Sequence, residues 1–253
     1  MGSNYQIHGS SPKHKGGRRK WIIVTAIIIL IAGIGVISYP FIEQKVYENE
    51  IADLKRDFLL DVENPPPSDE PGLSLYDLLY EYLKAENQNL YETGQEGLTD
   101  AFSYQQPAVD LSSYGIKDNC IGFISLPSIN MELPIYLGAN NENMKKGAVH
   151  LTQTSYPIGG NNTNCVIAAH RGTSLVMFRN IHKIAIGDEI IITNFKEVLK
   201  YRAAKIEIID PTDAHKLLIE QDRDMLTLFT CNPLGHNYQR YVLYCERITD
   251  NNN

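Results

Sequence analysis

At 253 residues the chain is long enough for one sizeable core with appendages, and its hydrophobic content of 43% is ordinary for a globular protein. The net charge of −7 is unevenly spread: residues 1–20 carry Lys13, Lys15, Arg18, Arg19 and Lys20 and no acid, while the remainder sets eighteen basic against thirty acidic side chains. So acidic a body argues against a nucleic-acid-binding surface.

The basic tail over residues 1–20 leads into Trp21–Tyr39, nineteen residues without a charge and dense in Ile. As a helix this run spans about 28 Å, enough for a bilayer core. Trp21 and Tyr39 stand at its two ends, where amphipathic aromatics suit the interface. The apolar run is longer than a secretory signal core, and no small-x-small cleavage site follows, so an uncleaved anchor is favoured over a cleaved leader. By the positive-inside rule the tail faces the cytoplasm and the rest of the chain lies outside. No second apolar stretch of this kind occurs before Asp250-Asn251-Asn252-Asn253, which predicts a single-pass protein.

Residues 40–91 read as two juxtamembrane helices. Ile42, Val46, Tyr47, Ile51, Leu54, Phe58 and Leu59 recur at helical spacing, and Leu78, Leu79, Tyr82 and Leu83 mark a second apolar face. Between them, Asn64-Pro65-Pro66-Pro67-Ser68-Asp69-Glu70-Pro71-Gly72 is a stiff, polar break. The plainest role for such helices is a stalk. Residues 92–115 show no clear period, and a loop of that length inside a compact chain is often a lid or a binding loop.

From residue 116 to 253 the texture changes to short β-type runs punctuated by turns: Cys120–Leu126, Met131–Tyr136, Cys165–Ala168, Glu189–Thr193, Leu199–Ile209, Met225–Thr230 and Tyr241–Arg247. Seven or eight strands with little helix predict a mainly β domain, a closed barrel or a sandwich. The four cysteines, Cys120, Cys165, Cys231 and Cys245, are spaced by 45, 66 and 14 residues, which matches neither a zinc site nor a dense disulfide scaffold. Three fall within strand-like runs and read as small apolar core residues, with one structural disulfide as the alternative.

The most informative stretch is Met225–Tyr241. An apolar run ends at Cys231, a turn cluster Asn232-Pro233-Leu234-Gly235-His236-Asn237 follows, and a second strand begins near Arg240. Such a return brings a thiol and a guanidinium to one mouth of a sheet, where a cation favours the nucleophilic thiolate. The run Cys165–Ala168 similarly leads to Ala169-His170-Arg171-Gly172. His170, Cys231 and Arg240 thus each stand at a strand terminus, and their convergence would gather three reactive side chains in one site. A papain-like order fits poorly, because histidine precedes cysteine and an arginine stands where a residue orienting the histidine is expected. His150 and His236 lie near these motifs and read as structural or lining residues.

These motifs resemble the sortases, Gram-positive membrane-anchored cysteine transpeptidases. Thr227-Leu228-Phe229-Thr230-Cys231 fits the family's T-L-x-T-C, Ala169-His170-Arg171-Gly172 fits its histidine motif, and Arg240 follows the cysteine by nine residues. Cys231-Asn232-Pro233-Leu234-Gly235, Leu133-Pro134-Ile135-Tyr136 and Pro157-Ile158-Gly159-Gly160 are most similar to class C, the pilin-polymerising sortases. The resemblance spans roughly residues 74–248. It implies a closed eight-stranded β-barrel, no obligatory cofactor, and a lid over the site. It also implies cleavage of an Leu-Pro-x-Thr-Gly-like sorting signal on surface proteins or pilins, and transfer to an amine of a pilin lysine or a cell-wall precursor. Class C lids carry an Asp-Pro-aromatic anchor; the nearest match is Asp100-Ala101-Phe102, with Asp100 and Phe102 as lid candidates. Class C chains also carry a second, C-terminal membrane helix, for which no segment is evident here. A non-catalytic domain that binds sorting signals is the alternative from another functional class.

Overall fold

The computed structural model describes residues 16–100, 106–172 and 175–249, with the side chains of 16–19 excluded. The chain divides into two units, residues 1–43 and 44–253. Helix α1 (Gly16–Glu63) begins in the first and ends in the second. Its N-terminal part is exposed along its apolar length, and among the described residues it is the one helix long and apolar enough to cross a membrane. The helix carries Pro40 without ending there, so no break in secondary structure separates the apolar run from the amphipathic one.

Within the second unit the two helices are not a free stalk. The face of α1 carrying Tyr47, Ile51 and Phe58 is buried, with the Phe58 ring edge-on to Phe123 at 5.4 Å and the Tyr47 hydroxyl donating to the Lys146 carbonyl at 2.8 Å. Helix α2 (Leu75–Glu92) starts at a capping box. The Asp77 amide donates to Ser74 Oγ (3.1 Å) and the Ser74 amide donates to the Asp77 carboxylate (2.8 Å), satisfying two otherwise orphaned donors. Leu79 and Leu83, four apart on one face, are fully buried, and Tyr76 meets Phe195 edge-on at 5.7 Å. Apolar periodicity predicted the helices but not what covers their faces, and burial against the barrel is what stabilises them.

Eight strands among the described residues close a mixed barrel in the order β1-β2-β3-β4-β7-β8-β6-β5. They are β1 (Cys120–Leu126), β2 (Met131–Leu137), β3 (Ala148–His150), β4 (Thr163–Ala168), β5 (Glu189–Asn194), β6 (Val198–Ile209), β7 (Asp224–Asn232) and β8 (Gln239–Arg247). The pairs β2–β3 and β4–β7 are parallel; the rest are antiparallel. Strand β5 alternates buried and half-buried residues, as a strand with one wet face must, whereas β4 is buried along its whole length. Strands β1 and β5 approach so closely at Gly122 that a Cβ there would lie 2.4 Å from the Thr193 carbonyl oxygen, which requires glycine. The barrel matches the sequence expectation, with one addition: β3, only three residues long and led in by the short helix α3 (Asn141–Lys146), is too brief to show a period.

Candidate active site

Strands β7 and β8 extend further toward their connecting loop than their apolar runs suggest, and Cys231 and Arg240 are direct cross-strand partners. Directly opposed residues on an antiparallel pair project to the same face with Cβ atoms about 5 Å apart. The thiol and the guanidinium therefore share one end of the barrel. Cys231 is half-buried, whereas Cys120, Cys165 and Cys245 are buried free thiols in the core. No disulfide links the four, so the apolar-core reading of these three holds. Burial pushes all three well above the ordinary thiol range, Cys120 to about 12, which makes them unreactive in the folded state.

Arg240 is 4% exposed, and its planar fork is fully engaged. Nε and Nη2 donate to the two oxygens of Asp100 at 2.9 and 2.5 Å, and Nη1 donates to the carbonyls of Asn237 (2.6 Å) and Gln239 (3.0 Å). This is the bidentate arginine–carboxylate geometry, here between residues 140 positions apart. The segment bearing Asp100 is fastened on both sides. On one side Gln95 is buried, donates to the Gln153 carbonyl at 2.9 Å and accepts from the Ile219 amide at 2.6 Å. On the other, the Thr152 hydroxyl donates to the Gln106 carbonyl at 2.8 Å. Phe102, the second lid candidate, lies outside the described residues.

His170 follows the end of β4 by two residues and is half-buried. Its carbonyl accepts from the Phe178 amide at 3.0 Å, closing the loop behind it, and Gln44 of α1 accepts from the Val176 amide of that loop at 2.9 Å. Gly172 has φ +104°, and a Cβ there would press to 3.0 Å on the Gly235 nitrogen, so the histidine loop and the β7–β8 loop lie against each other. Arg171, next to the histidine, donates through Nη1 to Asn232 Oδ1 at 2.8 Å and sits over the Tyr241 ring at 5.3 Å. Arg171 and Asn232 stand within the sequence motifs, which assign neither of them a contact. Their adjacency to His170 and Cys231 was the available signal.

The electrostatics of the site favour neutral partners. Burial raises the Cys231 thiol above its ordinary range; Arg240 and Arg171 oppose this, while the Asp100 carboxylate adds to it. Burial also lowers His170 below the usual imidazole range. Both directions favour a neutral thiol beside a neutral imidazole over a thiolate–imidazolium pair. Burial disfavours the Arg240 charge as well, but the Asp100 hydrogen bonds and charge outweigh this and hold it above its usual value. Among the described residues no cluster of His, Cys, Asp or Glu could hold a metal ion.

Neither His150 nor His236 joins this group. His236 is exposed beside Tyr238. His150 is buried, its Nε2 lies 3.1 and 3.0 Å from the Thr154 and Ser155 carbonyls, and its ring stacks on Tyr156 at 5.0 Å. Burial lowers its pKa from 6.5 to about 4, so the neutral form is the native one. A depressed base weakens the fold only when the unfolded chain binds the proton first. Its contribution is therefore intact above pH 6.5 and lost progressively as pH falls toward 4, by up to about 3 kcal/mol. His150→Gln keeps a donor for the two carbonyls and removes the titration. Denaturant unfolding at pH 7 and pH 4.5 is expected to show a smaller acid loss in His150→Gln than in the wild type.

A closed mixed barrel with a cysteine, an arginine and a histidine at adjoining strand ends is the architecture of a sortase-type domain. A family model described as the sortase domain matches residues 124–248. The chain is 30% identical over 131 residues to sortase D of Bacillus subtilis, covering 51% of this chain and 64% of that protein, a little under two thirds of its length. It is 24% identical over 222 residues to sortase A of Listeria monocytogenes, covering 86% and 87% of the two chains. Among solved structures, sortase C1 of the group B Streptococcus pilus island 1 superposes with a TM-score of 0.67 at 30% identity, covering 77% of this chain and 90% of that one. Sortase C from Clostridium perfringens superposes with a TM-score of 0.63 at 29% identity, covering 78% and 99%. The chain belongs to the sortase family of cysteine transpeptidases, and its structural neighbours are class C members.

Proposed function

We propose that this chain is a membrane-anchored transpeptidase that cleaves an Leu-Pro-x-Thr-Gly-like sorting signal after Thr and joins it to an amine, a pilin lysine. The observation that carries the class C assignment is the Asp100–Arg240 pair, a lid carboxylate seated on an arginine beside the nucleophile. The Cys231 thiol passes its proton to His170 as its sulfur attacks the threonine carbonyl carbon, then the peptide C–N bond breaks and His170 hands that proton to the departing amine, leaving a thioacyl enzyme. The incoming amine then attacks the thioester, its proton passes to His170, and the Cys231 thiolate departs. Arg240 donates to the oxyanion in both steps, which requires its fork to be free of Asp100. Residues 92–115 accordingly act as the lid. The basic tail stays in the cytoplasm, residues 21–39 span the membrane, and the helices with the barrel, residues 40–253, work outside it. Anchoring of surface proteins to a cell-wall precursor uses the same first half-reaction and a different amine.

The test supplies full-length protein in detergent with a fluorogenic sorting-signal peptide and, separately, a pilin-derived lysine peptide or a short peptidoglycan cross-bridge peptide. Ligation to the lysine peptide is the expected product. Ligation only to the cross-bridge peptide would replace polymerisation by wall anchoring. Saturable peptide binding with no cleavage in any arm would leave a binding domain.

A further inference from the structure

The parallel ladder between β4 and β7 runs at a constant offset of 61 residues, from Thr163↔Asp224 to Ala168↔Phe229, and its last backbone bond, Ala169 N to the Phe229 carbonyl, is already stretched to 3.4 Å. Beyond that point neither strand has a regular partner in the other, yet the offset persists. The Thr230 hydroxyl donates to the Ala169 carbonyl at 2.6 Å, and Arg171 Nη1 donates to Asn232 Oδ1 at 2.8 Å. Each of these bonds joins residues 61 apart. The pair between them at that offset is His170 and Cys231.

We propose that Arg171 and Asn232 are positioning residues whose side-chain bond carries the β4–β7 register past its last backbone pair and so holds His170 opposite Cys231. The proposal rests on the catalytic roles suggested above for those two residues. Three further features fit a built clamp. Arg171 Nη1 also lies 3.5 Å from the Cys231 carbonyl, so one group grips the nucleophile's own backbone and the next side chain. Its guanidinium is seated over the Tyr241 ring, which fixes its plane. Its Nε is buried and makes no hydrogen bond in the described structure, so the side chain is held by its Nη1 end and by the ring rather than spread over the surface. Thr230 secures one flank through a short neutral bond, and Arg171 secures the other. A loop that tilted about either flank would separate imidazole and thiol, and a misplacement of about 1 Å can cost on the order of a hundredfold in rate.

The test uses the full-length chain in detergent with Arg171→Met, Arg171→Lys, Asn232→Ala and the double variant Arg171→Met/Asn232→Ala. Each single loss is expected to lower kcat for sorting-peptide cleavage by about tenfold or more with KM within about twofold. The double variant is expected to be no slower than the slower single, because both remove one bond. Arg171→Lys, which can still donate to Asn232, is expected to retain more activity than Arg171→Met. A second readout needs no turnover. The His170 imidazole titration, followed by NMR, is compared with and without Cys231→Ala, and the difference between the two midpoints measures how strongly the pair interacts. That difference is expected to shrink by at least half in Asn232→Ala, which removes no charge. Wild-type kcat in both single variants, additive losses in the double, or an unchanged midpoint difference would each overturn the clamp. Failure of the underlying mechanism has a different signature, namely wild-type cleavage by His170→Ala or Cys231→Ala with the clamp intact.

Discussion

Cys231→Ala is expected to reduce cleavage of a sorting-signal peptide to background, and His170→Ala to lower it by about a thousandfold or more, because nucleophile and proton carrier act as one unit. Arg240→Ala is expected to lose on the order of a hundredfold or more in kcat, the cost of a missing oxyanion donor. Arg240→Lys should not restore it. The native guanidinium holds the Asn237 and Gln239 carbonyls through Nη1 and offers Nε and Nη2 along its other edge. A single ammonium cannot serve both edges at once. Changing Cys120, Cys165 or Cys245 to Ala should lower stability and leave kcat nearly unchanged, since these thiols are core side chains. Wild-type cleavage by Cys231→Ala would end the transpeptidase mechanism.

Removing the Asp100 carboxylate is expected to speed alkylation of Cys231 several-fold at neutral pH, for two separable reasons. The segment loses a bidentate, mostly buried ion pair, the contact that fastens it to the site. The thiol also loses a neighbouring negative charge that raises its pKa, while Arg240 and Arg171, which lower it, remain. The rate–pH curve should therefore move to lower pH as well as upward. Asp100→Asn keeps the shape of the side chain and drops the charge, so it should shift the midpoint fully and open the site only in part. Labelling native protein reports Cys231 directly, because the other three cysteines are at most 3% exposed. Phe102→Ala belongs in the same series as the other lid candidate. Unchanged rates and midpoints in both Asp100 variants would mean that this carboxylate does not guard the thiol.

Much of this site is legible from residue order because its central piece is local. Cys231 and Arg240 are nine residues apart, and an apolar run, a Pro/Gly/Asn turn and a second run can meet only as an antiparallel return, which brings the two ends together. The uncharged Trp21–Tyr39 run is legible for a similar reason, since length and composition alone decide whether a helix can span a bilayer. Periodicity likewise gave α2, whose capping box is written in Ser74 and Asp77.

What periodicity encodes is which face of an element is apolar, never what covers it. The Tyr47, Ile51 and Phe58 face fits a stalk or a docked helix equally well, and only closure of the barrel offers Phe123 for Phe58 to meet. β3, with three residues, completes no pattern and exists because β2 and β4 flank it. The offset of 61 that sets His170 against Cys231 belongs to a parallel pair, whose register depends on everything folded between the two strands. Asp100 stands 140 residues from Arg240, and no spacing rule reaches so far. The chain order therefore determined the reactive residue types, the apolar run long enough to span a bilayer and the hairpin that joins thiol to guanidinium. Tertiary structure decided the histidine's register and the partner of Asp100, because both depend on contacts between segments whose separation in sequence carries no geometric constraint.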